Sequence, residues 1–287
     1  MSKLIHKRIL ITGGTGYIGN YITKVLAATK PDLKIVSMSR RSIEDQRNRD
    51  QNTTRFNNVF FHQGDCLKPE TYPKDLQEYD AIIHTVGTLL EGVDYKSVLA
   101  GGLQSVLTGK VNPLTILQQV TSNSKPKYDE SHEALNRDAC KLMAEHFNNA
   151  CKEKGQKGHF VFISASRSIA PMLSRYAEMK EQAENFLLNN CPEIQPVILR
   201  PGFVWHQNER GWSQPVRLVT DFGYEVNKNI IKNIPGNEAV QSLLPQNKSI
   251  NLRVLTDFAI QGALGELDEL NKEHIWTNEK MNDYAKV

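Results

Sequence analysis

Residues 8–26 read RILITGGTGYIGNYITKVL, and this stretch decides the fold of the chain. A short apolar run, Ile9–Ile11, leads directly into a turn with the spacing Gly13-x-x-Gly16-x-x-Gly19. After the turn, apolar residues recur at helical spacing. The pattern predicts a buried parallel strand, a tight glycine turn and an amphipathic helix, which together form the first unit of a dinucleotide-binding fold.

The glycines of this turn have distinct physical roles. Gly13 lets the chain turn sharply after the strand, and Gly16 lets the backbone approach a pyrophosphate without a Cβ atom in between. Gly19 lets the helix lie close to the sheet. The N–H groups at the helix N-terminus attract phosphate oxygens, so the turn predicts a nucleotide site. Its first gap is one residue longer than in the common dinucleotide fingerprint.

The length of the chain bounds its architecture. A chain of 287 residues forms one large α/β domain, or one such domain with a small appendage. We predict an α/β fold with a Rossmann-type doubly wound parallel sheet and a small C-terminal lobe. In this interpretation residues 1–204 are the dinucleotide-binding domain. Residues 205–287 are a substrate or docking lobe that is integrated with it into one structural unit.

Composition and charge exclude several classes of function. The net charge of +3 and the lack of a basic helix face argue against nucleic-acid binding. No apolar run approaches the roughly 18 residues of a transmembrane helix. A first strand near residue 8 leaves no room for a cleavable presequence. The four cysteines lack metal-site spacing, so we predict no bound metal and a reducing compartment such as cytosol or mitochondrial matrix.

A basic pair follows the second predicted strand, Lys34–Ser39. NAD-binding proteins usually place an Asp or Glu at about this distance from the glycines, where it binds the ribose hydroxyls. Here the residues are Arg40 and Arg41, and a guanidinium suits the 2′-phosphate of NADP. We therefore favour NADP over NAD. The alternative is that both arginines are exposed residues at a strand end.

Two further strands bring candidate cofactor contacts to the same edge of the sheet. Val59–Gln63 precedes Asp65, which is placed to border the adenine. A further strand is predicted at Ala81–Thr85, and Val86 and Gly87 follow it. A glycine at that point lets the backbone pass close to the cofactor, although it is equally consistent with an ordinary loop.

Two segments have little pattern. Residues 42–58 are polar and lack periodicity, which predicts a surface loop. Residues 97–127 are interrupted by glycine and proline, and a segment this long predicts either a substrate lid or a docking surface.

A long amphipathic helix is predicted at Glu130–Lys154. Cys140 and Cys151 are three helical turns apart, so we expect them to share its buried face. His146 lies within the apolar stripe and is predicted to be a core residue rather than a ligand.

In the C-terminal part, Ile250–Leu267 predicts a strand followed by a helix, and Ile275–Thr277 predicts a last short strand. Trp205, Trp212 and Trp276 are interpreted as packing residues rather than as a quinone slot.

Candidate chemistry lies after the buried strand Phe160–Ile163. Tyr176 and Lys180 are spaced i and i+4, which places the phenol and the ammonium on one helix face. A phenol with an ordinary pKa near 10 is a poor base at neutral pH, and a neighbouring cation favours its anion. The spacing therefore predicts either a working acid/base site or the remnant of one.

Taken together, these motifs resemble the short-chain dehydrogenase/reductase superfamily in its extended or atypical branch. The matching pieces occur in the family's order: Thr12-Gly13-x-x-Gly16-x-x-Gly19, Tyr176-x-x-x-Lys180 and Leu199-Arg200-Pro201-Gly202. The resemblance implies that Tyr176 is the acid/base, and that Lys180 holds the nicotinamide ribose and lowers the phenol pKa. It also implies a Ser or Thr at the end of strand five that holds the substrate oxygen.

The chain departs from the family at that last position. The usual hydroxyl residue falls on Ala165, one residue from Ser164 and from Ser166. A shift of one residue turns a strand side chain to the other face, so either serine could substitute only if the chain bends there. Catalysis is therefore in question.

The predicted site residues follow from these motifs and from the resemblance. The catalytic candidates are Tyr176, Lys180 and Ser164. The cofactor-binding candidates are Thr12, Gly13, Thr15, Gly16, Tyr17, Ile18, Gly19, Ser39, Arg40, Arg41, Asp65, Val86, Gly87, Tyr176, Lys180, Pro201 and Gly202.

Four segments resemble two groups of mitochondrial proteins more closely. His84–Leu99 and Ile198–Trp205 look like the fungal short-chain-dehydrogenase-like protein of coenzyme Q (ubiquinone) synthesis. Ser174–Glu184 and the pair Ser164-Ala165 also look like the nucleotide-binding accessory subunit of respiratory complex I.

Both groups work on the matrix side of the mitochondrial inner membrane, inside larger assemblies. The resemblance therefore implies a nucleotide-bound accessory or assembly subunit with protein partners. The alternative is an active NADP-dependent oxidoreductase that acts on a hydrophobic, quinone-like metabolite.

Overall fold

A computed structural model of the chain describes residues 7–49, 54–89, 127–166, 174–209, 213–234 and 244–285. Its strands are β1 Arg8–Thr12, β2 Lys34–Ser39, β3 Val59–Gln63, β4 Ala81–His84, β5 Gly158–Ile163, β6 Ile194–Arg200, β7 Val204–Trp205, β8 Ile250–Asn251 and β9 Ile275–Thr277. Its helices are α1 Tyr17–Thr29, α2 Ile43–Arg49, α3 Ala139–Lys154, α4 Ser174–Asn190, α5 Ser213–Asn229, α6 Leu252–Leu264 and α7 Asn278–Tyr284.

Seven strands form one parallel sheet in the order β3-β2-β1-β4-β5-β6-β9. The chain runs outward from β1 to β3, then returns to the other side of β1 and continues through β4 to β9. The order of the strands reverses between β1 and β4, and open α/β sheets bind their ligands at the carboxyl ends of the strands beside such a reversal. The prediction of a Rossmann-type doubly wound parallel sheet is confirmed.

Side-chain alternation along β1 explains why both faces of the sheet are covered. Ile9 and Ile11 point into one core, which α1 and α6 help to build, whereas Leu10 points into the other, which α3 and α4 help to build. Because both faces are buried, the central strands consist of continuous apolar runs rather than of alternating polar and apolar residues.

The prediction of a loop over residues 42–58 is wrong for its first part, where α2 forms. The hydroxyl of Ser42 accepts the backbone N–H of Asp45, which caps the helix. Gln46 is buried, and its amide donates to the backbone carbonyls of Arg41 and His62. The buried face of this helix is polar, so it leaves no hydrophobic period in the sequence.

The predicted helix over residues 130–154 is confirmed from Ala139 to its end at Lys154, where it forms α3. The segment just before α3 is a π-helix rather than an α-helix. Glu133–Asp138 forms a π-helical turn that leads directly into α3. Cys140 and Cys151 are both buried, as expected. The prediction for His146 is wrong, because this residue is exposed and its Nδ1 lies 3.0 Å from the carbonyl oxygen of Leu142.

The C-terminal strand and helix predictions are confirmed by β8, α6 and β9. Trp276 is buried, with its ring 4.9 Å from that of Phe258, and the guanidinium of Arg217 lies 3.9 Å from the ring centroid of Trp205. Trp212 and residues 97–126 lie outside the described ranges. Among the helices that are described, none has the length and apolar character needed to cross a membrane.

Candidate functional site

The glycine turn lies between the carboxyl end of β1 and the start of α1. Gly13 has a positive φ of 74°, and its N–H donates to the carbonyl of Met38 at 2.9 Å. The N–H of Gly16 donates back to the carbonyl of Gly13 at 2.8 Å. Gly16 is the N-cap of α1, and no side chain caps this helix. The positive end of the helix therefore opens at the edge where a phosphate would lie.

Steric space distinguishes the glycines of the turn. A Cβ atom on Gly13 would lie 2.7 Å from Oγ1 of Thr85, and one on Gly19 would lie 2.5 Å from the carbonyl oxygen of Gly13. Among the described residues, a Cβ on exposed Gly16 would meet only that same carbonyl oxygen, at 3.0 Å. Gly13 and Gly19 are therefore required by the protein itself, whereas the space beside Gly16 is largely open.

Sequence reasoning overlooked Gly14. A Cβ atom there would lie 2.0 Å from the hydroxyl oxygen of Ser37 on β2, so the turn can pack against the neighbouring strand only with glycine. The four residues around it differ in exposure: Thr12 is buried, and Thr15, Tyr17 and Ile18 are half-buried. The doublet of glycines was the signal that could have identified Gly14.

The end of β2 presents the basic pair. Ser39 is buried, and its hydroxyl accepts the N–H of Arg41 at 3.3 Å. The side chain of Arg41 is half-buried, whereas Arg40 is exposed. In the described part of the chain, the Arg40 guanidinium has no ion pair or hydrogen bond, so this is the arginine available to an added anion.

Asp65 follows β3 and is half-buried, with its carboxylate accepting the N–H of Leu67 at 3.0 Å. Val86 and Gly87 follow β4. A Cβ atom on Gly87 would lie 2.7 Å from Oδ1 of Asn136 and 2.8 Å from Nζ of Lys180. The backbone at Gly87 thus passes directly over these two polar side chains, and this close approach requires glycine.

Lys180 is buried between the ends of two strands. Its Nζ donates to the carbonyls of Ile163 at 3.0 Å and Val86 at 3.2 Å, and lies 4.6 Å from the ring centroid of Phe162. Burial lowers the pKa of this ammonium to about 8, although the nearby Cys140 and Glu184 act in the opposite direction. Lys180 therefore joins the ends of β4 and β5 just below the predicted cofactor position.

The hydroxyls at the end of β5 are bound to protein groups. Ser164 is buried and donates to Glu184, which is also buried and pairs with the guanidinium of Arg200. Ala165 is buried and offers no hydroxyl. The hydroxyl of Ser166 accepts the side-chain N–H of Asn247 at 2.6 Å.

The structure places Tyr176 on the first turn of α4, one turn before Lys180, where it is half-buried. Its ring centroid lies 6.0 Å from that of His132 in a tilted contact. His132 is adjacent to the π-helical turn that contains Asn136, and both residues are buried. Sequence reasoning did not identify His132 or Asn136 as site residues. The only signal was the presence of polar residues on an otherwise apolar helix face.

Pro201 and Gly202 lie at the end of β6. The carbonyl of Pro201 accepts the N–H of Ser166 at 2.9 Å, and the N–H of Gly202 donates to Oδ1 of Asn278 at 2.8 Å. Beside them is a cleft of about 360 Å³. The described residues that line it all have polar side chains: Ser166, Arg200, Lys232, Gln246, Asn247, Thr277, Asn278 and Glu279.

His84, at the end of β4, is fully buried beneath the turn. Its Nδ1 lies 2.9 Å from Oγ1 of Thr12, and burial lowers its pKa to about 3, so the imidazole is neutral at physiological pH. All four cysteines are buried and free. The described residues contain no group of His, Cys, Asp and Glu that could hold a metal ion.

The geometry fits a dinucleotide. An uncapped helix N-terminus, open space beside Gly16 and an exposed guanidinium at Arg40 all lie at one edge of the sheet. These groups suit, in turn, a pyrophosphate, its close approach to the backbone and a further phosphate.

Comparisons of the sequence support this interpretation. The model of the NAD dependent epimerase/dehydratase family matches residues 9–101, which include the glycine turn. MIOREX complex component 2 of Saccharomyces cerevisiae is 24% identical over 235 residues, covering 79% of this chain and 83% of the yeast protein.

Solved structures agree on the fold. A short-chain type dehydrogenase/reductase of Mycobacterium ulcerans has a TM-score of 0.59 at 12% identity, covering 96% of this chain and 90% of the other. An Agrobacterium tumefaciens protein assigned as a 2-deoxy-d-gluconate 3-dehydrogenase, with bound NADP, has a TM-score of 0.58 at 15% identity, covering 97% and 98%. These comparisons confirm the resemblance to the short-chain dehydrogenase/reductase superfamily, and the solved structures show that the chain shares their α/β, Rossmann-like fold.

Proposed function

We propose that this chain acts mainly as a nucleotide-bound accessory or assembly subunit of a mitochondrial inner-membrane complex, of the respiratory complex I or coenzyme Q synthesis type. In this proposal NADP is the cofactor and any dehydrogenase turnover is weak. The cofactor has a structural role, because a bound ligand stabilises the folded state that the partners recognise.

One observation carries the proposal: the end of β5 has no hydroxyl for a substrate at the usual position. Ala165 stands there, and Ser164 donates its hydroxyl to the buried Glu184 instead. A developing alkoxide would lack one preorganised donor, and removing such a donor typically costs about 10²–10³ in kcat.

The proposed cofactor contacts follow from the geometry. Gly16 and the first turn of α1 would hold the pyrophosphate, and Arg40, with Arg41 beside it, would bind the 2′-phosphate. Tyr176 and Lys180 would then be retained because they would lie beside the nicotinamide ribose. Their presence is consistent with binding as well as with catalysis.

The proposed location and partners rest on sequence resemblance. Four segments of the chain resemble matrix-side mitochondrial proteins, and the yeast relative is, by its name, a component of a protein complex. Both points favour protein partners in a mitochondrial assembly.

The second candidate is an active NADP-dependent oxidoreductase on a hydrophobic, quinone-like metabolite. The spacing of Tyr176 and Lys180 favours it. The missing hydroxyl at Ala165 argues against it, because a developing alkoxide would lack one preorganised donor.

Replacing Tyr176 with Phe tests the proposal, since it deletes the acid/base and keeps the ring. In cells that lack the natural chain, we expect Tyr176→Phe to support a normal amount of assembled complex with cofactor bound, as judged by native electrophoresis and cofactor analysis. Tyr224→Phe, on α5, is a matched control for loss of a phenol hydroxyl elsewhere.

Normal assembly together with accumulation of a quinone-like precursor in the Tyr176→Phe cells would contradict the proposal. That result would identify the protein as an enzyme.

A further inference from the structure

The side chain of Asn136 has an orientation that its neighbours determine completely. The backbone N–H of Thr88 donates to its Oδ1 at 2.9 Å, and its Nδ2 donates to the carbonyl of Thr88 at 2.8 Å. A backbone N–H can only donate and a carbonyl can only accept, so the amide oxygen and nitrogen cannot be exchanged.

This orientation fixes the proton on a neighbouring imidazole. Nδ2 of Asn136 lies 3.0 Å from Nδ1 of His132, and the second N–H of the amide is the hydrogen between them. Nδ1 of His132 must therefore accept, which places the ring proton on Nε2 and keeps the imidazole neutral. His132 is only 9% exposed, so water does not readily replace this contact.

The imidazole in turn contacts Tyr176. The two ring centroids lie 6.0 Å apart at an interplanar angle of 57°, which is an ordinary tilted aromatic contact. Three elements are thereby joined: the segment after β4 through Thr88, the π-helical turn through Asn136, and the start of α4 through Tyr176.

We propose that His132 is a positioning residue for Tyr176, held by Asn136 as the neutral Nε2–H tautomer with its ring fixed against the phenol ring. The inference rests on the proposed function only in treating Tyr176 as a site residue. The same Asn136 amide also binds the backbone of Thr88, the residue after Gly87. One side chain therefore holds both the backbone beside the predicted cofactor position and the imidazole that packs against the phenol ring.

The tautomer is tested by ¹⁵N NMR on histidine-labelled protein at neutral pH, with the His132 signals assigned by their loss in His132→Phe. We expect an unprotonated Nδ1 and a protonated Nε2. A protonated Nδ1, or an averaged pair of signals typical of tautomer exchange, would overturn the inference.

The positioning role is tested on the Tyr176 ring, labelled with ¹³C and assigned by its loss in Tyr176→Phe. His132→Gln keeps an acceptor for Asn136 but removes the aromatic ring, so we expect the Tyr176 signal to shift and broaden. His132→Phe keeps a ring, and its Tyr176 signal should stay closer to that of the wild type. His146→Gln, on the exposed face of α3, should leave the signal unchanged.

An unchanged Tyr176 signal in His132→Gln would rule out the positioning role, and so would an equal change in His146→Gln. If His132→Gln does not fold, His132→Phe is compared with His132→Leu, since only the Leu variant loses the ring contact. An unchanged Tyr176 signal in His132→Leu would then rule out the positioning role. NADP affinity measured for Tyr176→Phe separates the two proposals, because no effect there counts against the cofactor role of Tyr176 and leaves the ring contact to be judged from the spectra.

Discussion

The two ends of the candidate site differ in how their polar groups are satisfied. At the nucleotide end, no side chain caps α1, Gly16 is exposed, and the Arg40 guanidinium has no partner in the described part of the chain. At the opposite end, polar groups bind each other: Lys180 bonds two strand-end carbonyls, and Ser164 bonds Glu184.

The difference indicates how easily each end of the candidate site can bind a further group. Open donors at the nucleotide end can take up an anion without first breaking protein contacts, which is the usual meaning of preorganisation. At the other end, a substrate would have to compete with existing hydrogen bonds to buried groups. The same sheet edge thus has one end whose donors can accept an anion and another end whose polar groups already bind each other.

The largest expected effect is at Gly16. In Gly16→Val the branched side chain occupies the space beside the turn, and loss of two charge-assisted contacts to pyrophosphate, at about 1.5–3 kcal/mol each, weakens cofactor binding roughly 10²–10⁴-fold. Since a Cβ there meets one atom of the described chain, the carbonyl oxygen of Gly13 at 3.0 Å, the variant should still fold. Calorimetry gives the affinity, and circular dichroism gives the fold.

Gly19→Val is the matched control for this experiment, because its Cβ would collide with the Gly13 carbonyl and should destabilise the protein itself. Cofactor affinity in Gly16→Val equal to that of the wild type would show that the turn is not the pyrophosphate site.

The next effect concerns the pH dependence of stability, through Lys180. The pKa of this group is about 8 in the folded chain and 10.5 as the reference for the unfolded chain. Between these values the unfolded chain binds the proton that the folded chain has released, so the contribution of Lys180 to stability rises with pH. The full difference corresponds, at 1.36 kcal/mol per pH unit, to at most about 3 kcal/mol.

Lys180→Met removes this titration. Urea unfolding at pH 7.5 and pH 10 should show the wild type gaining stability relative to the variant at the higher pH. Comparing the two proteins at each pH cancels the titration of Cys66, Cys151 and Cys191, whose pKa values burial raises and which have no interaction with Lys180 among the causes of their shifts. A stability difference that does not change with pH would mean that Lys180 is more hydrated than its contacts indicate and that burial does not lower its pKa.

The smallest of these effects is the choice between the two cofactors. Replacing Arg40 with Ala should weaken NADP binding by roughly 10- to 100-fold, from the loss of about 1.5–3 kcal/mol in one charge-assisted contact, and should leave NAD binding nearly unchanged. Titration calorimetry with both cofactors measures this. Equal affinity of the wild type for NADP and NAD would mean that the arginines are only a solvated strand end.

The sequence predicted the structure best where the residues that form a feature follow each other along the chain. The turn at Gly13–Gly19 and the apolar strands β1, β2 and β3 were predicted because strand, turn and helix follow each other along the chain. Short β9 was also predicted at its correct bounds, since its apolar residues stand out in a polar segment.

The remainder depended on contacts between residues far apart in sequence. Asn136 matters because it meets Thr88, 48 residues earlier, and Glu184 matters because it receives Ser164 and Arg200. Helix α2 is held by hydrogen bonds from buried Gln46 rather than by apolar periodicity. No local pattern encodes such pairings, so inspection of the sequence assigned no role to Asn136, Glu184 or Gln46.

The position of β9 at the end of the sheet has a consequence for how the chain matures. β9 pairs with β6, which lies roughly seventy-five residues earlier, so a growing chain exposes the unpaired edge of β6 until residue 277 is available. An apolar, unpaired strand edge is a template for wrong pairing. When β9 pairs, it covers the last three residues of β6 and leaves a three-residue strand at this edge, and a short edge strand is a poorer template for wrong pairing.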